Sequence, residues 1–297
     1  MALMVEKVTK KPRRRLPEWL KVKAPGGENY LQLRSLLRAE ALNTVCEEAN
    51  CPNIGECWER GTATFMILGD ICTRACTYCA VTSGAPLAVD PAEPLRVAAS
   101  VERMGLNYAV ITSVDRDDLP DTGASVFAEV ISLIKARTPD CRVEVLIPDF
   151  GGIEEHLKVV MDSGPDTLNH NIETVRRVFP RVRARGNYDL SLELIGRAGA
   201  MRPQTPTKSG MMVGLGETYD EVVETMRDLR SVDCNLLTIG QYLRPSPKHA
   251  PMTRWWTPEE FNELQSEGMG MGFSHVASGP LVRSSYHADE QHAAATS

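Results

Sequence analysis

The run ATFMILGDICTRACTYC, residues 63–79, decides the fold. Its first part, Ala63–Leu68, is apolar and has the length of a buried strand. Its second part places three cysteines, Cys72, Cys76 and Cys79, in the loop that follows. In α/β folds the loops at the carboxyl ends of the strands carry the chemistry. A strand that runs directly into a cysteine loop therefore predicts an active site at this end of the fold.

The chain beyond this run alternates short apolar segments with longer amphipathic ones. The candidate strands are Ala63–Leu68, Tyr108–Thr112, Val143–Ile147, Thr167–Asn169, Gly210–Val213 and Leu236–Tyr242. The candidate helices lie near 91–104, 123–137, 153–163, 189–201 and 218–231. The last of these begins with Thr218 followed three residues later by Glu221, which is the spacing of a capping box. Repeated strand–helix units predict parallel strands, because each return crossing is made by a helix.

We therefore predict an α/β fold, a partial (βα)6 TIM-like barrel with an open side and with N- and C-terminal extensions. A doubly wound sheet is the alternative, but no GxGxxG turn follows the first strand. The predicted division is 1–60 for the N-terminal extension, 61–256 for the barrel and 257–297 for the C-terminal extension. We expect a helix over Leu31–Glu48, a short helix from Thr257 and an extended piece at His275–Ser278.

Composition argues against several classes of function. The net charge of −6 offers no general attraction to nucleic-acid phosphates. No stretch approaches the roughly 20 apolar residues of a membrane span, and the N-terminus lacks the apolar segment of a secretory signal. We therefore expect a cytoplasmic protein with no nucleic-acid or membrane partner, and we expect a monomer. The basic residues near the N-terminus are expected to form a solvated tail, with contact to an acidic partner protein as the alternative. They are Lys7, Lys10, Lys11, Arg13, Arg14 and Arg15.

The cysteines are crowded, since six of the eight lie between Cys46 and Cys79. In a reducing compartment thiols stay free, so this crowding favours a metal or catalytic role over disulfides. The three thiols of residues 72–79 can surround one face of a compact iron–sulfur cluster, whereas zinc ligands usually come as two separated pairs. Three thiolates on a [4Fe–4S] cluster leave one iron with an open position. A ferredoxin-like electron carrier and a zinc knuckle are the alternatives for this motif taken alone.

A second loop supplies three more thiols, Cys46, Cys51 and Cys57, with Pro52 and Gly55 to turn the backbone. We interpret this loop as a second cluster site. Its three cysteines again leave one iron without a protein sulfur.

The CxxxCxxC spacing, with Tyr78 before the last cysteine, resembles that of the radical S-adenosylmethionine superfamily. Combined with CxxxxCxxxxxC, it resembles more narrowly the lipoyl synthase family, over nearly the whole chain beyond residue 30. The further motifs that carry the resemblance are EANCPN (48–53), SVDRDDL (113–119), NHNIET (169–174), TKSG (207–210), GLGET (214–218), QYL (241–243) and RSSY (283–286).

The resemblance implies two [4Fe–4S] clusters and S-adenosyl-L-methionine. It places the first cluster on Cys72, Cys76 and Cys79, where cleavage of S-adenosylmethionine yields a radical that removes hydrogen from an octanoyl chain. It places the second, auxiliary cluster on Cys46, Cys51, Cys57 and Ser285, with Ser284 as the alternative to Ser285. The implied activity is insertion of sulfur, taken from the auxiliary cluster, at carbons 6 and 8 of an octanoyl group on a protein lysine.

The resemblance also implies contacts and partners. The implied cofactor contacts are Tyr78, Ser113, Asp115, Asn171 and Glu173. The ordinary alternatives are a core aromatic for the tyrosine, and turn or helix-cap roles for the asparagine and the glutamate. The implied partners are an octanoylated lipoyl carrier domain and an electron donor such as flavodoxin or ferredoxin.

Other functional residues are less distinctive. We expect Cys141 and Cys234 to be small buried side chains rather than ligands, and we assign no metal role to the histidines. Other groups fit either surface solvation or a specific contact: Asp117, Asp118, Lys208 and Arg283. The rival functions are a two-cluster electron-transfer protein and another sulfur-inserting radical enzyme, such as a biotin synthase or a methylthiotransferase. The latter match the first cysteine loop but not the second loop together with RSSY.

Overall fold

A computed structural model describes residues 16–22, 24–49, 51–60 and 62–296. The basic run Lys7–Arg15, expected to form a solvated tail, lies outside the described residues. Within the described ranges, none of the helices combines the length and the apolar character that crossing a membrane requires.

Strands and helices alternate along the chain. The strands are β1 (Asn43–Thr44), β2 (Thr64–Ile67), β3 (Ile71–Cys72), β4 (Thr82–Ser83), β5 (Tyr108–Ser113), β6 (Arg142–Leu146), β7 (Thr167–Asn169), β8 (Thr207–Val213), β9 (Leu236–Gln241) and β10 (His275–Gly279). The helices are α1 (Glu28–Ala39), α2 (Val45–Glu48), α3 (Ile54–Glu59), α4 (Glu93–Met104), α5 (Ala124–Arg137), α6 (Glu154–Asp162), α7 (Phe179–Val182), α8 (Tyr188–Met201), α9 (Tyr219–Ser231), α10 (Pro258–Gly270) and α11 (Ala288–Thr296).

One sheet organises the fold. Its strand order is β1-β2-β5-β6-β7-β8-β9-β10, and every neighbouring pair is parallel except β1 with β2. The edge strands β1 and β10 are not paired with each other, so the sheet is open along one side. The predicted α/β fold is confirmed, and the six predicted strands are β2 and β5–β9. The extended piece at His275–Ser278 forms β10, which pairs with β9 and widens the sheet beyond the predicted six strands.

The predicted helix over Leu31–Glu48 is wrong in its second half. Helix α1 ends at Ala39, Ala41 takes a left-handed φ of 50°, and Asn43–Thr44 pairs antiparallel with β2. The chain then starts a new helix, α2, whose first turn is capped by the Thr44 side chain. Sheet pairing therefore interrupts a sequence that has helical spacing. Helix α11 was also not anticipated from the sequence.

The core explains why most of the strands appear as apolar runs rather than alternating patterns. All residues of β2 and β9 are buried, since helices cover one face of the sheet and the other faces the interior. Cys141 and Cys234 are buried among apolar residues, as predicted. The capping box of Thr218 and Glu221 is present at the start of α9. The carboxyl ends of β2, β5 and β7 are left to carry the loops of the site.

Candidate active site

The first cysteine loop, residues 72–79, packs against the segment that follows β5. Cys72 ends β3, which pairs with β4. The Sγ of Cys72 accepts hydrogen bonds from the backbone N–H groups of Arg74 at 3.4 Å and of Asp115 at 3.3 Å. The backbone N–H of Cys79 donates to the carbonyl of Cys76 at 3.0 Å. The three predicted ligands thus lie in one tight loop at the carboxyl end of the sheet, where the sequence predicts the active site.

A buried ion-pair network holds this loop in place. Arg74 lies between the first two cysteines, and only 6% of its side chain is exposed. Its guanidinium donates to both oxygens of Asp117 and to both oxygens of Asp149, with closest distances of 2.7 and 2.5 Å. Burial acts to raise the pKa of Asp149, but hydrogen bonds and charge from Arg74 dominate and lower it to about 2. The two carboxylates therefore tie the cysteine loop to the ends of β5 and β6.

The thiols of this loop suit a metal cluster. Burial raises the pKa of Cys76 to about 12 and that of Cys79 to about 11, and it also raises the pKa of Cys72. These sulfurs are therefore protonated at neutral pH unless a metal binds and displaces the protons. Thiolate sulfur is the usual ligand of iron–sulfur clusters, so the donor set fits one. For a single metal ion, the described part of the chain offers no suitable group of three His, Cys, Asp or Glu side chains.

Two buried oxygen atoms beside the loop lack hydrogen-bond partners, whereas the other oxygen of Asp115, Oδ2, accepts from Cys72 Sγ at 3.7 Å. Ser113 ends β5, and Asp115 follows two residues later. Within the described ranges, the buried atoms Ser113 Oγ and Asp115 Oδ1 accept and donate no hydrogen bond, although the latter lies 3.4 Å from Arg74 Nε. Burial raises the pKa of Asp115, and the charges of Arg74 and Arg183 partly offset this effect. Buried polar atoms without partners are uncommon and costly, so they indicate that a polar ligand binds here.

Asn171 and Glu173 follow β7 on the same side of the sheet. Glu173 has a left-handed φ of 67°, a conformation that is rare for a residue other than glycine and is concentrated at functional sites. Its backbone N–H donates to the carbonyl of Gly210 at 3.0 Å, which joins it to β8. Burial raises the pKa of its carboxyl, whereas the Arg183 guanidinium and the side chains of Tyr78 and Asn171 lower it. The predicted contacts Tyr78, Asn171 and Glu173 thus lie together.

The other predicted ligands line a second cavity. Cys46 lies in α2, Cys57 lies in α3, and Cys51 lies in the turn between these helices. All three line one cavity together with Ser285 from the C-terminal segment. Burial raises the pKa of Cys46 to about 11, and burial and the two neighbouring thiols raise that of Cys57 to about 12. Four residues from opposite ends of the chain thus meet in one place, with the donor set that was predicted for the second cluster.

The two serines of the RSSY segment face different ways. Ser285 lines the second cavity, where its Oγ accepts a hydrogen bond of 2.8 Å from Thr64 Oγ1. Ser284 donates from its Oγ to Asn171 Oδ1 at 3.0 Å, on the side of the first site. Of the two serine alternatives, Ser285 is therefore the one that lies with the cysteines of the second loop.

Contacts between the chain ends close the second cavity, and we call them the C-terminal clasp. They are Asn53 Nδ2 to the carbonyl of Leu281 at 2.7 Å, Tyr286 Oη to Glu56 Oε1 at 3.1 Å, and Arg60 Nη2 to Glu290 Oε1 at 2.9 Å. The sequence carries no signal for these contacts, because their partners lie more than 200 residues apart.

Some charged side chains near the sites are buried or paired rather than solvated. Asp117 is bound by Arg74, and exposed Asp118 pairs with Arg116 Nε at 2.8 Å. Lys208 is fully buried in the sheet and lies 3.0 Å from the equally buried carboxylate of Glu144.

Arg283 has no carboxylate partner among the residues that the structure describes. Burial lowers its pKa, and the nearby thiol of Cys51 opposes this effect. Arg283 lines the second cavity, so its guanidinium lies where the thiolates of a bound cluster would provide negative charge.

Sequence reasoning missed Asp149, one of the two carboxylates that bind Arg74. Asp149 follows β6 and is 75 residues from Arg74, so nothing local connects the two. Its position just beyond a strand end was a usable signal, because that edge of the sheet carries the site.

Comparison with known proteins gives two matching family models. The model of the radical SAM superfamily matches residues 66–229, and the model of the N-terminal domain of lipoyl synthase matches residues 4–51. Among curated proteins, the chain is 58% identical over 279 residues to a lipoyl synthase of Bacillus cytotoxicus, which covers 94% of each chain. It is 58% identical to a lipoyl synthase of Roseiflexus sp., covering 93% of this chain and 92% of that one. It is 57% identical to one of Rubrobacter xylanophilus, covering 93% and 86%.

Solved structures with a similar fold are more distant in sequence. HydG, a maturase of the [FeFe]-hydrogenase, matches with a TM-score of 0.56 at 18% identity, over 86% of this chain and 56% of that chain. SuiB of Streptococcus suis, bound to S-adenosylmethionine, matches with a TM-score of 0.53 at 9% identity, over 80% and 56%. The chain thus spans little more than half of these two proteins, and the likeness concerns the fold.

Proposed function

Since this chain belongs to the lipoyl synthase family of the radical SAM superfamily, we propose that it inserts sulfur at carbons 6 and 8 of an octanoyl group on a protein lysine. The observation that carries this proposal is the meeting of Cys46, Cys51, Cys57 and Ser285 in one cavity, separate from the loop of Cys72, Cys76 and Cys79. A radical enzyme with one cluster has no use for this second donor set, and a two-cluster electron carrier has no use for a ligand site beside the first loop, where Ser113 Oγ and Asp115 Oδ1 lie.

Enzymes of this family use S-adenosyl-L-methionine and [4Fe–4S] clusters. The residues that would hold the clusters here are Cys72, Cys76 and Cys79 at the first site, and Cys46, Cys51, Cys57 and Ser285 at the second. When bound, such clusters supply one-electron reductive cleavage of S-adenosylmethionine at the first site and sulfide at the second.

At the first site, the residues of this chain would bind S-adenosylmethionine and orient it. Three thiols for a four-iron cluster leave room for a small ligand beside the loop, and Ser113 Oγ and Asp115 Oδ1, which have no hydrogen-bond partner among the described residues, lie there to accept hydrogen bonds from a protonated amino group. Asn171 and Glu173 supply an amide and a carboxylate for hydroxyl or amino groups of the same ligand, and Tyr78 supplies an aromatic wall. The ion pairs of Arg74 keep the loop at a fixed distance from these residues, which is the positioning that a reaction of a free radical requires.

At the second site the choice of ligand favours lability. A serine oxygen is a hard donor, whereas iron in a sulfide cluster prefers thiolate, so a bond from Ser285 would be the weakest of the four. A group that is taken apart to provide sulfur benefits from one ligand that leaves easily. The position of Ser285 in the cavity, and of Ser284 outside it beside Asn171, supports Ser285 as this ligand.

The substrate and partners follow from family membership. A lipoyl synthase needs a carrier protein that bears the octanoyl group and a source of electrons. We propose an octanoylated lipoyl carrier domain as the substrate, flavodoxin or ferredoxin as the donor, and the cytoplasm as the compartment. We also propose the division into an N-terminal extension over 1–60, a barrel over 61–256 and a C-terminal extension over 257–297.

Anaerobic reconstitution tests the proposal by iron and sulfide counting. We expect about eight irons per chain, as two [4Fe–4S] clusters require. The triple variant of Cys46, Cys51 and Cys57 to Ala should hold half of this iron and still form 5′-deoxyadenosine when reduced with S-adenosylmethionine, but it should make no lipoyl product. Cys234→Ala, which removes a buried cysteine whose Sγ contacts the carbonyls of Thr207 and Leu236, is the matched control and should keep the full iron count. Loss of S-adenosylmethionine cleavage in the triple variant would contradict the proposal, and so would a wild type that binds only about four irons per chain.

A further inference from the structure

Ser284 and Ser285 are neighbours in the chain, yet their side chains belong to different sites. Ser284 Oγ donates to Asn171 Oδ1 at 3.0 Å, and Asn171 lies beside Glu173 at the first site. Ser285 Oγ accepts from Thr64 Oγ1 at 2.8 Å and lines the second cavity. One peptide bond therefore separates a contact to the first site from a contact to the second.

The sheet fixes the position of this segment through two glycines. A Cβ at Gly210 in β8 would lie 2.6 Å from Asn171 Oδ1 and 2.9 Å from Ser284 Oγ. A Cβ at Gly240 in β9 would lie 2.1 Å from the carbonyl oxygen of Val282. A Cβ at Gly240 would meet backbone and so displace the segment, whereas a Cβ at Gly210 would push the side chains of Asn171 and Ser284 aside. The backbone of the C-terminal segment thus lies directly on the strands, and Ser284 has little freedom to move away from Asn171.

Asn171 is held from several sides, so the Ser284 hydroxyl contributes to its orientation. Its backbone carbonyl accepts a hydrogen bond of 3.2 Å from Arg183 Nη1. Its side chain lies close enough to Glu173 to lower the pKa of that carboxyl. With Oδ1 accepting from Ser284, the amide oxygen and the amide nitrogen of Asn171 point in defined directions. A ligand at the first site therefore meets an amide that is already oriented by the C-terminal segment.

We propose that Ser284 is a positioning residue that couples the two sites: its hydroxyl orients Asn171 for S-adenosylmethionine and anchors the segment that presents Ser285 to the second cluster. The inference rests on the proposed function. Coupling between two sites is reciprocal, so a ligand that orders Asn171 also strengthens the anchor of Ser285. S-adenosylmethionine at the first site then makes the second cluster harder to open, and an intact second cluster tightens the binding of S-adenosylmethionine.

The test uses the reconstituted holoenzyme and the variant Ser284→Ala. The first readout is the dissociation constant of S-adenosylmethionine, measured by equilibrium dialysis without turnover. The second is the rate at which a chelator removes iron from the second cluster, with and without S-adenosylmethionine. The phase of iron release that belongs to this cluster is the one missing in the triple variant of Cys46, Cys51 and Cys57.

We expect Ser284→Ala to weaken S-adenosylmethionine binding roughly three- to tenfold, the effect of losing one hydrogen bond. In the wild type, S-adenosylmethionine should slow iron release from the second cluster by a similar factor, and in the variant this protection should disappear. Ser278→Ala is the matched control, because it removes a hydroxyl that donates to the carbonyl of Phe261 at 2.8 Å, away from both sites. Ser278→Ala should match the wild type in both readouts.

A variant that changes only one readout, or neither, overturns the coupling. If Ser284→Ala does not yield folded protein, Ser284→Gly removes the same hydroxyl, and loss of protection at concentrations of S-adenosylmethionine that saturate the variant is then the decisive result. A wild type with two clusters and S-adenosylmethionine cleavage, but without any protection, overturns this inference and leaves the proposed function standing. A wild type with one cluster overturns both.

Discussion

Replacing Asp149 by Ala should destabilise the protein and loosen the first cysteine loop. Asp149 accepts two hydrogen bonds from the Arg74 guanidinium, at 2.5 and 2.7 Å, and their side chains are only 4% and 6% exposed. Without Asp149, the buried cation keeps Asp117 and a weaker contact of 3.4 Å to Asp115. The loop that carries the three cysteines then loses its connection to the end of β6.

The size of the effect follows from the burial of the pair. Removing one partner of a buried ion pair costs about 3–5 kcal/mol, and we expect the lower end because Asp117 still compensates part of the charge. In a protein of this size, each kcal/mol lowers the melting temperature by about 2–4 °C, so a loss of about 3 kcal/mol corresponds to roughly 6–12 °C. Differential scanning calorimetry of the reconstituted protein at one scan rate measures this shift. Iron counting on the same sample should show loss at the first site.

Asp189→Ala is the matched control for this measurement. Asp189 also pairs with an arginine, Arg176, but their side chains are 74% and 53% exposed. Exposed pairs contribute about 0–1 kcal/mol, so this variant should melt within about 4 °C of the wild type. If Asp149→Ala melts like Asp189→Ala and keeps its full iron content, the ion-pair network does not hold the loop, and the argument from burial is refuted.

Three further changes test other parts of the structure. Burial lowers the pKa of His170 from 6.5 to about 4, so the unfolded chain binds the proton at a higher pH than the folded chain does. The free energy of unfolding should therefore fall by about 3 kcal/mol as the pH drops from about 6.5 to about 4. His170→Gln should remove most of this pH dependence in urea unfolding curves measured over the same pH range. Gly210→Ala places a Cβ 2.6 Å from Asn171 Oδ1 and should weaken S-adenosylmethionine binding, measured by equilibrium dialysis, at least as much as the loss of the Ser284 hydroxyl does. Lys208→Met leaves the Glu144 carboxylate buried and unpaired and should cost about 3–5 kcal/mol, whereas adding Glu144→Leu should recover most of this loss in unfolding measurements.

The elements that could be predicted from sequence are those whose burial leaves a local pattern. Strands β2 and β9 are covered on both faces, so they appear as continuous apolar runs. The capping box at the start of α9 also depends only on neighbouring residues. The grouping of six cysteines into two loops was also predictable, because their spacing within each loop is short, and their role as cluster ligands stays a prediction.

Contacts between distant residues could not be predicted in this way. The segment around Ala41 has helical spacing, yet Asn43–Thr44 leaves the helix to pair with β2. The partner of Arg74 is 75 residues away, and the choice between the two serines of the RSSY segment depends on which side of the segment faces the second cavity. The side-chain directions in the RSSY segment are set by its packing on β8 and β9, and no periodic pattern in the sequence predicts them.

The two cysteine sites are held by contacts of different strength, and this difference matches their proposed roles. The first loop depends on the Arg74 network, whose rupture leaves buried charge unpaired and costs several kcal/mol. The second cavity is closed by the C-terminal clasp, in which the ion pair of Arg60 and Glu290 has side chains 42% and 58% exposed and contributes about 0–1 kcal/mol. Local opening follows the weakest contacts, so within the clasp the exposed pair of Arg60 and Glu290 separates at a lower free-energy cost than the buried Arg74 network. Under the proposed function, a first cluster that generates radicals in every cycle would have to stay in place, whereas a second cluster that is spent and rebuilt would need a cavity that can be reached, and the exposed Arg60 lines that cavity.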